Sequence, residues 1–141
     1  MAEYVANAVQ TVAVNQNVLF TDTVVYSRNN SITHRAGSGL INLKGITCQC
    51  RARYRVSFGA NIAIPAGGTI EPISLAIAMD GEPVASTTMI VTPSAVSEYF
   101  NVSSDILLDV PKGCCSQVSV KNISTQSIDV QNANIIVDRV A

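Results

Sequence analysis

Three arginines at alternate positions, Arg51, Arg53 and Arg55, come nearest in this sequence to a pattern that could do chemistry. A guanidinium presents its donors in a rigid fork that suits a carboxylate or a phosphate, so three of them along one face of an extended segment could grip an acidic partner or a phosphate backbone. The same stripe also suits a solvated outer sheet face, or one paired with acids on a neighbouring strand or subunit. Aromatic residues make up 5% of the chain and the net charge is −1. There is little to stack on bases and no overall attraction to nucleic acid or an anionic membrane, so the paired or solvated reading is favoured and neither partner is expected.

The four cysteines form two close pairs, Cys48-x-Cys50 and Cys114-Cys115. Zinc sites usually pair cysteines two residues apart or add histidine, and the single histidine, His34, is out of register with both pairs. On a strand Cys48 and Cys50 would share the inward face, which makes them two small buried thiols. A disulfide from one pair to the other requires the two segments to be neighbours, and synthesis in a reducing cytoplasm argues against it; the redox state of all four is left open.

His34 stands beside Arg35 in a Gly- and Ser-rich region without a nucleophile to serve. The acids Asp22, Glu71, Asp80, Glu82, Glu98, Asp105, Asp109, Asp129 and Asp138 are scattered singly at turns and strand ends. A calcium site assembled in space is left open, but there is no Asp-rich loop of the EF-hand type and no phosphate-binding glycine motif. No catalytic, cofactor-binding or metal-ligating residue is assigned, and neither an enzyme nor a cofactor is expected. Asn-x-Ser triplets occur at Asn29, Asn101 and Asn122. Met1-Ala2-Glu3-Tyr4 lacks the basic and then apolar signature of a signal peptide, so these triplets carry no expectation of glycosylation and the chain is expected as a soluble product of the cytoplasm.

The element that positions the arginines runs from Cys48 to Pro65. Cys48, Cys50, Ala52, Tyr54, Val56, Phe58, Ala60, Ile62 and Ile64 alternate with Thr47, Gln49, Arg51, Arg53, Arg55, Ser57, Gly59 and Asn61. A period of two predicts a strand that buries one face and turns the arginines to the other, either bent or divided near Gly59. Around it, 141 residues with 48% hydrophobic and 13% charged content suffice for one core. A chain so poor in charge has reason to close its edges or to associate.

Residues 1–9 read as an N-terminal arm or short first strand ahead of a domain spanning 10–141. Short strands are expected at Gln10–Val14, Val18–Phe20, Thr23–Tyr26, Leu40–Leu43 and Ile73–Met79. Asp80-Gly81 predicts a tight hairpin into a run from Val84 to Val91. Strands follow at Val96–Val102 and Ile106–Val110, divided by Ser103-Ser104-Asp105, then at Cys114–Val120, Ser127–Val130 and Asn134–Val140. No segment has helical periodicity. About ten antiparallel strands separated by turn residues indicate a single-domain all-β jelly-roll sandwich, with Tyr54, Val56, Phe58, Ile62, Leu75, Ile77, Ile106 and Leu108 in its core.

Three segments taken together carry a resemblance: Gly39-Leu40-Ile41-Asn42-Leu43-Lys44-Gly45, Arg53-Tyr54-Arg55-Val56-Ser57-Phe58, and Ala76-Ile77-Ala78-Met79-Asp80-Gly81-Glu82-Pro83-Val84. Their order resembles that of C1q- and TNF-like jelly rolls, with Thr11–Thr21 and Asn132–Val140 similar to the first and last strands of such domains. The whole chain also resembles short proteins of tailed phages and prophages of gut Firmicutes that are taken to be virion components. The resemblance implies a homotrimer on a phage particle, made in the bacterial cytoplasm without a signal peptide. It implies a non-enzymatic structural role as a capsid decoration or head-fibre protein, in contact with capsid or other virion proteins. The alternative is a tip module of a phage fibre or bacterial surface protein that binds a host glycan or surface protein. Aromatic residues are few for such a trimer, and Tyr26, Tyr99 and Phe100 are the available substitutes at its interface, beside Arg51, Arg53 and Arg55. No Gly-x-y stalk precedes the domain, so attachment falls to its own surface or its first ten residues.

Overall fold

Alternation of side chains across the backbone accounts for most of the architecture. In the computed structural model, which describes residues 1–141, the strands are β1 (Ala2–Ala6), β2 (Gln10–Val12), β3 (Asp22–Val25), β4 (Ile32–His34), β5 (Ile41–Lys44) and β6 (Arg51–Ala63), then β7 (Ile73–Met79), β8 (Glu82–Pro83), β9 (Met89–Val91), β10 (Phe100–Pro111), β11 (Cys115–Asn122) and β12 (Ile128–Arg139). A single 3-10 turn at Ala85–Thr87 is the only helical element. One sheet has the order β10-β6-β12-β1-β3, with β2 also paired to β12. The other has the order β4-β5-β11-β7-β8, with β9 also paired to β7. Every pairing is antiparallel. The two sheets enclose one apolar cluster, and the fold is a jelly-roll sandwich.

β6 runs straight through Gly59 as one strand of 13 residues. Its inward residues Ala52, Tyr54, Val56, Phe58, Ala60 and Ile62 are all buried, while Arg51, Arg53 and Arg55 are exposed. No division occurs at Gly59 because β10 pairs along one side of the strand and β12 along the other. Leu75 and Ile77 are buried on the facing sheet, Leu108 is buried beside Tyr54 on β10, and Ile106 packs against the cluster while partly exposed. Tyr54 ties the sheets together. Its hydroxyl donates to the Lys44 carbonyl at 2.6 Å and lies 3.4 Å from that of Ser31, so a side chain of the first sheet completes the backbone bonding of the second.

Several sequence expectations are corrected. Cys48 and Cys50 precede β6 in an irregular loop and are exposed, as are Cys114 and Cys115, so the buried-thiol reading fails. The chain leaves the sheet there to wrap the turn at Pro111–Cys114: Cys50 O accepts from Lys112 N at 3.0 Å and Cys114 O accepts from Gly45 N at 2.8 Å. Ser103-Ser104-Asp105 is no break, because β10 is continuous for 12 residues and these polar residues lie along an edge strand. The gap between Val130 and Asn134 is a bulge in the continuous β12, where Asn132 takes φ 55°. Val96 and Ser97 form a turn, with Ser97 at φ 58°, and Val18 and Phe20 are fully buried without joining a strand. At the hairpin, Asp80 and Gly81 both have positive φ, 54° and 85°, as a tight turn between right-twisted strands requires. The return strand is only β8, followed by the 3-10 turn and then β9.

Asn122, one of the Asn-x-Ser asparagines, is fully buried. Its amide donates to the carbonyls of Val12 and Gln126, each at 2.9 Å, and its oxygen accepts from the Ser124 amide at 2.9 Å and the Ser124 hydroxyl. It therefore holds the ends of β2 and β11 to the loop between β11 and β12. Asn122→Ala leaves these groups unpaired inside the protein and is expected to cost about 2–3 kcal/mol, read from the shift of the urea unfolding midpoint.

Candidate functional site

The outer face of the first sheet gathers charge from strands far apart in sequence. The register places Arg53 opposite Asp109, Arg55 opposite Leu107 and, on its other side, Asp138, and Ser57 opposite Asp105. Arg53 donates to both oxygens of Asp109, at 2.7 and 3.1 Å, and Arg51 reaches the same carboxylate at 3.6 Å. Arg55 donates to Asp105 through Nε at 2.9 Å and Nη2 at 2.5 Å, and the Ser57 hydroxyl adds a bond to Asp105 at 3.0 Å. The three arginines thus share two acids on the next strand, Arg51 and Arg53 meeting at Asp109 and Arg55 at Asp105. Most of the stripe's charge is offset within the chain, which weakens the basis for a phosphate-gripping groove.

The two carboxyls with altered acidity respond to this pairing. The hydrogen bond from Arg55 lowers the pKa of Asp105, and that from Arg53 lowers the pKa of Asp109. A general acid needs the opposite shift. A carboxyl whose pKa is lower in the folded state than its unfolded value of about 3.9 contributes stability above that value and loses it as pH falls through the folded pKa. The melting temperature should therefore fall as the pH drops below about 4, and the double variant Asp105→Asn, Asp109→Asn should show a shallower fall across the same window.

The edges of this sheet differ from each other. β10 pairs with β6 on one side and has no strand on the other. Leu107 stands 59% exposed on its outer face, with Phe100 at its start and Tyr99 just before it, both partly exposed. The opposite edge is β3, where Val24 and Val25 are exposed and Tyr26, just beyond, is 77% exposed. Tyr26 is therefore distant in the sheet order from Tyr99 and Phe100, and one face does not bring all three together with the arginines. Leu107, Val24 and Val25 escaped the sequence reading because their exposure depends on which strands lie at the sheet edges.

His34 is partly buried outside this face, with its ring 4.5 Å from that of Tyr4 and its Nε2 2.7 Å from the Ser38 carbonyl. No group of three or more His, Cys, Asp or Glu residues is arranged to hold a metal ion.

Among the solved structures that match, two illustrate the likeness over nearly the whole chain. The globular domain of zebrafish complement 1qA protein superimposes with a TM-score of 0.60 at 16% identity, covering 96% of this chain and 94% of that one. Murine APRIL, in its crystal structure at pH 5.0, superimposes with a TM-score of 0.58 at 10% identity, covering 95% and 97%. The fold is thus that of the C1q- and TNF-like jelly rolls. No protein-family model and no curated protein matches the chain.

Proposed function

We propose that this chain is a non-enzymatic structural protein that assembles as a homotrimer through the outer face and edges of the β10-β6-β12-β1-β3 sheet. It serves on a phage particle as a capsid decoration or head-fibre protein. The observation that carries the assembly is β10, a 12-residue edge strand with an unpaired side and an exposed Leu107. A long edge with an unpaired side invites association with other chains unless something covers it. The other edge offers a different apolar surface in Val24, Val25 and Tyr26. Two unlike surfaces on one subunit suit a head-to-tail ring, which a threefold rotation closes. The Arg–Asp ladder lies beside the β10 edge, where Arg53 and Arg55 are already hydrogen-bonded to Asp109 and Asp105, so covering these two pairs strands no lone charge.

The virion setting rests on the resemblance of the sequence to short phage and prophage proteins. Mass spectrometry of density-purified particles from a phage that encodes the chain tests the setting: the protein should remain with the particles after washing. Recovery only in the particle-free fraction would contradict it. A second reading, a module that binds a host glycan or surface protein, is favoured by Tyr26 standing exposed beside the polar loop Ser27–Ser31. It predicts glycan-array or host-cell binding that is lost in Tyr26→Ala.

A further inference from the structure

Four free, exposed cysteines lie at one end of the sandwich on two segments that the backbone binds together. The turn Pro111–Cys114 closes with Cys114 N donating to Pro111 O at 3.0 Å. It sits inside the β5–β6 loop, held by Cys50 O on Lys112 N at 3.0 Å, Gly45 N on Cys114 O at 2.8 Å and Gly113 N on Gly45 O at 3.1 Å. The fit is close: a Cβ at Gly45 would stand 2.0 Å from the Pro111 carbonyl oxygen.

Backbone bonding selects one cysteine from each segment. Cys50 and Cys114 are the two whose own carbonyls are held by the opposite segment, Cys50 O by Lys112 N and Cys114 O by Gly45 N, and both are exposed just outside the ends of β6 and β11. Cys115 belongs to the exposed row of β11, opposite Lys44, and Cys48 lies further back in the loop.

We infer that Cys50 and Cys114 form a thiol–disulfide exchange site, closed by a low-molecular-weight disulfide into a staple between the β5–β6 loop and the β10–β11 turn. The thiolate of one cysteine attacks a sulfur of the small disulfide, breaks its S–S bond and expels one thiol, leaving a mixed disulfide on the protein. The thiolate of the second cysteine then attacks the protein sulfur and expels the other thiol. Two protein thiols are oxidised, and the small disulfide is reduced to two thiols that carry away both protons and both electrons. The staple ties together two sheets that meet at this end through the turn, and it does not depend on the oligomeric state proposed above.

Oxidised glutathione is the probe, used on the full chain. Trypsin cuts after Lys44, Arg51, Lys112 and Lys121, so the peptides Gly45–Arg51 and Gly113–Lys121 each hold one cysteine pair. After oxidation a non-reducing digest should join these two peptides, in protein that keeps single-chain mass on a denaturing non-reducing gel. The link should survive in Cys48→Ser, Cys115→Ser and be lost in Cys50→Ser, Cys114→Ser. The melting temperature should rise by roughly 5–10 °C on oxidation and return with a reductant, since the link closes a long loop. Four remaining free thiols, glutathione adducts alone, a link only between chains, or a link that persists in Cys50→Ser, Cys114→Ser would each overturn the assignment.

Discussion

Tyr54→Ala is expected to lower the unfolding free energy by about 3–5 kcal/mol, the cost of emptying a large buried site. Tyr54 is fully buried near the start of β6 and is the largest of the fully buried side chains. Two separable effects contribute to its loss. Removing the ring leaves a cavity between the sheets, whereas removing only the hydroxyl leaves the Lys44 carbonyl without the 2.6 Å bond that it accepts. Tyr54→Phe therefore isolates the second effect and should cost about 1–2 kcal/mol. Urea denaturation at one fixed protein concentration measures both, because association shifts apparent stability with concentration. Equal losses in the two variants would mean that the hydroxyl, and not the packed ring, dominates the link between the sheets.

Arg53→Glu is the second substitution with a large expected effect, and it acts on assembly more than on folding. The new carboxylate faces Asp109 directly across the β6–β10 pair, where Arg53 now makes two hydrogen bonds. Within one chain the pair is exposed on the sheet surface, so losing it should leave the far-ultraviolet circular dichroism of a folded β protein unchanged. In a ring the same defect recurs at every subunit and places unpaired like charges where water is excluded. The concentration at which the trimer dissociates should rise at least about tenfold. Exchanging the partners, Arg53→Asp with Asp109→Arg, restores the pair with reversed polarity and should recover much of the assembly. Unaltered molar mass in Arg53→Glu would mean that this face is only solvated.

The alternation from Ala52 to Ile62 was legible because a strand's side-chain period is two and one face had to be buried. The same rule misled at its start, since Cys48 and Cys50 extend the pattern in sequence but the chain there wraps the Pro111–Cys114 turn. Local polarity was a poor guide to strand ends. Ser103-Ser104-Asp105 reads as a turn, yet an edge strand carries polar residues at little cost, and a bulge at Asn132 lets β12 continue through Gln131-Asn132. The acids that pair with the arginines were visible only as scattered residues. Asp105 and Asp109 lie about fifty positions from their partners, and only the β6–β10 register brings them into line. Val18 and Phe20 are buried by tertiary packing without a ladder of their own, which periodicity does not register.

In the proposed assembly, one sheet face and its edges are covered by copies of the same chain. Light scattering coupled to size exclusion tests this most directly at micromolar concentration and moderate salt. The expected result is a single species with three times the 14.9 kDa mass of the chain. A stable species at 14.9 kDa, unchanged as the concentration is raised, would contradict it.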